Sequence, residues 1–429
     1  MEALVLVVLF LFFLATSIPI AIAIGLAVIV FTFYFPVGTL SFIPQNMFSA
    51  VNSFPLMAIP FFILTGSIME VGGLSKRLVA TANQLVGNMT AGLAVVTVVA
   101  CMFFGAISGS APATVAAIGG IMVPYMVRYN YHKNFAAGLI SSAGGLGIII
   151  PPSIPLVIYG VCTTVSIGDL FIAGIGPGIL VGITLIVTAM LIGKKRGYKG
   201  TGHSFSWREF GKAIREAKWA LFVPVIILGG IYGGIFTPTE AAVVSVVYGI
   251  IVGKFIYKEL EWANLLGLYR ETMVLCGAIF IIFGTAASLA FLVSFTQLPT
   301  KISDALMLVS TNKYAILLIV NLFLLIVGMV MDVTSANLIF SPLMLAIVQP
   351  LGVDPVHFGI IITVNLALGF ITPPMAQNIF LTSTLTGVPV QAIVKESLPF
   401  VIAMMIALMM ITFIPEISLW PLQLLRGQL

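Results

Sequence analysis

Runs of apolar residues of membrane-crossing length recur along the whole chain. They lie near positions 3–33, 55–71, 91–107, 113–127, 135–164, 170–193, 219–236, 241–257, 273–296, 314–331, 335–350, 357–385 and 398–414. A membrane helix needs roughly 20 such residues, so the length of the chain allows on the order of a dozen crossings. Only 8% of its residues are charged, against about 25% in a soluble domain. That is too little charge to cover a water-facing surface. A soluble enzyme, a nucleic-acid binder and a disordered scaffold are excluded together, and the chain is all-α and polytopic in lipid. Met1-Glu2-Ala3 lacks a basic leader region and the apolar run continues to about Phe33, which predicts a retained first helix instead of a cleaved signal peptide.

The charges that remain are unevenly placed. Lys194, Lys195, Arg196, Lys199, Arg208, Lys212, Arg215 and Lys218 face only Glu209 and Glu216 in the segment 194–218, a surplus of +6 against +5 for the whole chain. Positive loops stay in the cytoplasm, so this connector is expected there. A lipid-headgroup or nucleic-acid patch is the competing explanation. Trp207, Trp219, Trp262 and Trp420 fall at span ends or in loops, as interfacial aromatics do. Cys101, Cys162 and Cys276 sit in apolar runs and read as buried hydrophobes. His132, His203 and His357 are isolated from one another. Two polar stretches, 74–88 and 299–312, carry Lys76, Arg77, Lys301 and Asp304. They read as helices lying along the interface.

Leu146-Gly147-Ile148-Ile149-Ile150-Pro151-Pro152 returns as Leu368-Gly369-Phe370-Ile371-Thr372-Pro373-Pro374, 222 positions later (373 against 151). Pro177 and Pro399 share that offset, and Gly105 and Gly328 miss it by one residue. The chain divides into a first repeat 1–193, the basic connector 194–218 and a second repeat 219–429. The predicted contents are an arm helix (74–88, 299–312), a hairpin (near 91–127, 314–350) and a broken helix (near 135–164, 357–385). Matched broken helices in two halves are a mark of secondary transporters.

Non-helical backbone in hydrocarbon leaves carbonyls unpaired at several kcal/mol each, so it persists only where it lines a cavity or binds something. Four breaks qualify. The first, Gly105 to Thr114, contains Ser108-Gly109-Ser110 and has Pro112 placed to open a helix. The second runs from Gly144-Gly145 to Pro151-Pro152-Ser153. The third is Gly328 to Asn337, with Asp332 and Thr334. The fourth is Gly369 to Asn378, with Thr372 and Met375. Freed carbonyls and hydroxyls suit a hard cation such as Na⁺. Packing by small residues and simple proline kinks are the structural alternatives. Asp332 is the only charged residue between Lys313 and Asp354, and an intramembrane acid marks a functional site, though it can also cap the following helix. Glu240 fits a capping box, Thr237-Pro-Thr-Glu240. Glu70, Asp169 and Glu396 sit at span ends. Two pairs of breaks predict two cation sites. A tenfold gradient is worth about 1.4 kcal/mol per ion, and a charge crossing 100 mV about 2.3 kcal/mol. Two Na⁺ carried with a monoanion therefore yield about 5.1 kcal/mol, against about 1.4 for one Na⁺.

The chain resembles the large membrane subunit (the M, or DctM-like, permease) of tripartite ATP-independent periplasmic (TRAP) transporters. The residues that carry the resemblance are Phe54-Pro55 through Pro60-Phe61-Phe62, Gly105-Ala-Ile-Ser108-Gly109-Ser110, Gly144-Gly145-Leu-Gly147-Ile-Ile-Ile-Pro151-Pro152-Ser153, Ile175-Gly-Pro177-Gly178 and Gly369-Phe-Ile-Thr372-Pro373-Pro374. The resemblance implies about eleven transmembrane helices plus two re-entrant hairpins, arranged as an inverted repeat with elevator-type scaffold and transport domains. It implies Na⁺-coupled import of an organic acid, of the sialic acid or C4-dicarboxylate class, across the bacterial inner membrane. It also implies two partners, a small membrane subunit of about four helices, expected as a separate chain, and a periplasmic substrate-binding protein. By resemblance one Na⁺ site falls on Ser108, Ser110, Gly145 and Pro151. The other falls on Asp332, Thr334, Gly369, Thr372 and Met375, with Ser110, Ser153 and Asp332 near the substrate. The competing reading is a self-sufficient Na⁺-coupled anion carrier of a related two-hairpin superfamily. An intramembrane enzyme would need convergent catalytic groups, and Asp332 stands alone.

Overall fold

The computed structural model describes residues 2–16, 18–35, 37, 40–200, 206–310 and 312–426 (side chains of 306–309 excepted), and every regular element among them is helical. Part of the basic connector, 201–205 with His203, lies outside the described residues. Eight helices among the described residues are long and apolar enough to cross a bilayer, or nine if one bent pair counts as a single span. The first apolar run is not one helix. Pro19 precedes Ile20–Tyr34 with extended backbone, separating it from Glu2–Ala15, against which it packs. A proline disfavours helical backbone before it, so a 31-residue apolar run need not be a single rod.

The stretches read as arm helices are helical at Leu74–Val86 and Leu298–Val309. The first is amphipathic, burying Leu74, Leu78, Val79 and Ala82. Its N-terminus is tied to the loop before Trp262–Phe295. Arg77 donates to Glu259 at 2.7 Å and lies 3.7 Å over the Tyr257 ring, while Lys76 reaches the same carboxylate at 3.4 Å. Gly73 turns the chain there at φ +78°, and a Cβ on it would strike the Glu259 carboxylate at 2.1 Å. Only glycine fits both demands.

Each half then builds a hairpin of two helices, Gly92–Ser108 with Ala111–Arg128 and Lys313–Val330 with Val333–Val348. Their turns are 222 residues apart, ending the first arms at Ser108 and Val330 and opening the second at Ala111 and Val333. After each hairpin comes a helix interrupted at a Pro-Pro pair, and both pairs, Pro151-Pro152 and Pro373-Pro374, are cis. The first interrupted helix bends by 40° between Lys133–Ile149 and Ile154–Thr163. Here Pro151, Pro152 and Ser153 are buried, whereas Pro373, Pro374 and Met375 are exposed. Both breaks sit where two glycines let helices touch. Gly105 meets Gly147, and Gly328 meets Gly369.

The two halves interleave. Ile154–Thr163 packs on Val333–Val348 of the other hairpin, and Gln377–Thr386 packs on Ala111–Arg128. Asn337 donates to Pro155 O at 2.7 Å, and Asn378 donates to Ser141 O at 3.1 Å. Outside this body, Ala58–Val71 packs on Pro238–Ile251, and Trp262–Phe295 runs along Phe42–Val51 and Ile20–Tyr34. Thr237 and Glu240 form the capping box read from their spacing. Asp169 and Glu396 are paired with Arg426 at 2.5 Å and Arg196 at 2.8 Å. Cys101 and Cys276 are buried, while Cys162 is only partly so.

Candidate functional site

Serine and aspartate are favoured at a helix start because their oxygens accept the amides that the first turn leaves unpaired. Ser110 and Asp332 occupy that position at the two hairpin tips, 222 residues apart (332 against 110). Ser110 accepts from Ala113 N at 3.4 Å. Asp332 holds its helix more firmly, with one carboxylate oxygen accepting from Ser335 N at 3.0 Å and the other from the Ser335 hydroxyl at 2.5 Å. Capping and cavity lining are thus combined in one residue, since Asp332 is only half-buried.

Both tips are locked to the interrupted helices. Ile154 N donates to Gly109 O at 3.2 Å in the first half, and Met375 N donates to Met329 O at 2.9 Å in the second. Gly109 adopts φ +61°, and a Cβ there would lie 2.7 Å from Pro152 O. Around this tip the oxygens crowd. Thr114 donates to Ser110 O at 2.8 Å, and its hydroxyl pairs with that of Ser108 at 3.3 Å. A Cβ on Gly147 would sit 2.3 Å from the Thr114 hydroxyl and 2.5 Å from Ser110 O. The glycine is what admits this cluster of buried oxygens.

A cleft of about 440 Å³ lies where the tips meet, within the usual size of small-molecule sites. Its polar lining is Ser67, Ser108, Ser110, Asp332, Thr334 and Gln377. Ile148, Ile154 and Phe370 complete the wall on the hairpin side. The opposite wall is Ile63 and Gly66 of Ala58–Val71 with Leu275, Ile279 and Ile282 of Trp262–Phe295. Gly66 brings that wall onto the first tip, since a Cβ there would be 3.1 Å from Ser108 Cβ.

Four residues read from the sequence thus share one cavity, namely Ser108, Ser110, Asp332 and Thr334. The others lie off its lining. Ser153 is fully buried behind it, donating to Ile148 O at 2.5 Å and accepting from Leu156 N at 3.4 Å. The Pro151 ring faces Gly174, and Gly145 lies against Ser142 O and Met404. In the second half, Gly369 packs on Gly328, Thr372 donates to Leu368 O at 2.7 Å, and the Met375 side chain is exposed. Ser67, Thr114 and Gln377 were not among the residues read as site residues. Thr114 and Gln377 do stand inside the quoted breaks, whereas Ser67 lies in an uninterrupted apolar run that nothing marks.

The family described as "Tripartite ATP-independent periplasmic transporter, DctM component" matches residues 7–417. The isethionate TRAP transporter permease protein DctMQ of Oleidesulfovibrio alaskensis is 44% identical over 381 residues, 89% of this chain and 60% of that one. This chain therefore spans less than two thirds of that relative's length. The C4-dicarboxylate TRAP transporter large permease protein DctM of Pseudomonas aeruginosa is 41% identical over 374 residues, 87% of each chain. The sialic acid TRAP transporter large permease protein SiaM of Vibrio cholerae is 36% identical over 388 residues, 90% of this chain and 91% of that one. Among solved structures, the YdaH transporter of Alcanivorax borkumensis superposes with a TM-score of 0.63 at 13% identity, covering 99% of both chains. That likeness is one of fold alone.

Proposed function

The chain belongs to the DctM-component family of tripartite ATP-independent periplasmic transporters, and from that premise we propose that it carries an organic acid inward across the bacterial inner membrane, driven by Na⁺. It is a multi-span transporter subunit and not an enzyme. The observation that carries the finer reading is one cleft in which both capped hairpin tips and both interrupted helices take part. Oxygens of Ser108, Ser110 and Thr114 are grouped at one tip, and Asp332 with Thr334 at the other. These groups match the chemistry of a hard cation, which here is cargo moved with the substrate.

An elevator motion fits the division between the hairpin body and the helices around it. A gap of about 300 Å³ separates Leu6, Phe10 and Leu289 from Phe323, Val327 and Phe340 of the second hairpin, and its lining is wholly apolar. Such a boundary has no directional bonds to break as one body slides past the other. The substrate classes named for the relatives (isethionate, C4-dicarboxylate, sialic acid) mark the range from which this chain's organic acid comes. In this reading the connector 194–218 is cytoplasmic, and a small membrane subunit and a periplasmic binding protein complete the transporter. Family membership favours that arrangement over a self-sufficient carrier.

The test is uptake into vesicles holding the chain with its small subunit, fed by the cognate binding protein. Uptake should require an inward Na⁺ gradient and vanish in Asp332→Ala and in Ser110→Ala, both still folded in the membrane. Full activity with K⁺ in place of Na⁺ would remove the sodium coupling. Wild-type uptake by both variants would remove the site.

A further inference from the structure

We propose that the cleft takes organic acids bearing one negative charge, monocarboxylates or monosulfonates, and discriminates against dicarboxylates. The inference deepens the sodium-coupled reading and rests on it. Asp332 supplies the only formal charge in the cleft among the described residues. The remaining polar groups, Ser67, Ser108, Ser110, Thr334 and Gln377, are neutral, and no lysine or arginine stands among the described lining to pair with a carboxylate. Anions in such a place must be compensated by the cations that travel with them. The two cations expected from the two pairs of breaks bring two positive charges. Asp332 balances one, and a single substrate charge balances the other.

The two tips are also unequal in where they would hold an anion. A helix start attracts negative charge. The start at Val333 is already met by its own carboxylate, bonded to the amide and hydroxyl of Ser335. The start at Ala111 is met only by the neutral Ser110 hydroxyl, at a long 3.4 Å. One acidic group of the substrate is accommodated at the first tip. A second, across the same cleft, would face Asp332. Hydroxyl groups on the substrate fit that side better, because the carboxylate can accept from them.

Binding can be read as thermal stabilisation of the full chain, purified with its small subunit, in lipid nanodiscs. The monoanions are glycolate, isethionate and N-acetylneuraminate, and the dianions are succinate and fumarate, each near neutral pH with Na⁺ or with choline in its place. At least one monoanion should stabilise the protein only in Na⁺, at a half-saturating concentration about tenfold or more below that of either dianion. Asp332→Asn keeps the size of the side chain and removes its charge, so the ratio should shift toward the dianions. The wild-type panel decides alone if the variant does not fold or bind. Na⁺-dependent binding of a dianion as tight as the best monoanion overturns the charge assignment and leaves the carrier reading standing. So does a folded Asp332→Asn protein that binds with the wild-type ratio. Stabilisation by no member of the panel overturns this inference, and stabilisation that ignores Na⁺ overturns the sodium-coupled reading and this inference with it.

Discussion

Alanine at the glycine pair of the second break should reveal how closely the helices must approach there. Gly328 and Gly369 face each other, but the contact is lopsided. A Cβ on Gly369 would lie 2.3 Å from Gly328 O and 2.6 Å from its Cα, whereas a Cβ on Gly328 would be 3.3 Å from Gly369 Cα. Non-bonded carbons rest at about 3.5–4.0 Å. Gly369→Ala therefore forces the helices apart by about 1 Å, and Gly328→Ala by a few tenths. Overpacking of this kind costs about 1–3 kcal/mol. The separation also stretches the neighbouring 2.9 Å bond from Met375 N to Met329 O, and an amide left unpaired adds about 1–3 kcal/mol. Gly369→Ala should thus cost about 2–6 kcal/mol. Gly328→Ala gains up to about 1 kcal/mol of helix propensity, which offsets its mild crowding and leaves it near wild type. Gly105→Ala, with its nearest contact at 3.0 Å to Gly147 Cα, should fall between. Thermal unfolding of the three variants in one detergent ranks them. Equal losses at Gly328 and Gly369, or a wild-type transition for Gly369→Ala, would refute the close-approach argument.

Two further outcomes follow from bonds described above. Ser153→Ala removes both a helix cap and the 2.5 Å bond to Ile148 O, so it should lower stability by about 1–3 kcal/mol in the same assay. Burial pushes the Glu259 carboxyl up, but Arg77 and Lys76 outweigh it and hold the group below the usual carboxylate range. A lowered carboxyl contributes stability above its unfolded value, about pH 4.3, and loses it as pH falls through the folded value beneath that. The melting temperature should therefore decline on acidification below about pH 4.3 by an amount worth about 1 kcal/mol or less, and Glu259→Gln should remove that part of the decline. An identical acid profile in wild type and Glu259→Gln would discount the ion pair.

What could be read from the residues alone was set by how costly each feature is in lipid. Asp332 stands out because no other charge lies near it in sequence, and Ser108 and Ser110 because glycine and proline flank them. These are the residues that the fold brings into the cleft. Thr114 and Gln377 stand in the quoted breaks, but their spacing does not set them apart from the residues around them. Ser67 leaves no mark, because a serine in an apolar helix satisfies its hydroxyl locally, here on Ile63 O at 3.1 Å. The alignment of Gly105 with Gly328 was legible, but not their packing partners, Gly147 and Gly369. Contact between helices distant in sequence is a property of the packed body. The division of the first run at Pro19 was open to view but subordinate to apolar length. The contrast between a buried Pro151-Pro152 and an exposed Pro373-Pro374 has no counterpart in two nearly identical motifs.

The crossing of each half into the other carries a consequence for how such a molecule is made. The second piece of each interrupted helix rests on the opposite hairpin, and Asn337 and Asn378 bind main chain that belongs to the first half. When the ribosome has delivered only residues up to the connector, Pro155 O and Ser141 O lack these amide donors and the first hairpin lacks one flank. The first half can complete its packing only once the second half has entered the bilayer. An ancestor with a single copy of the repeat could have met the same needs only by embracing a twin.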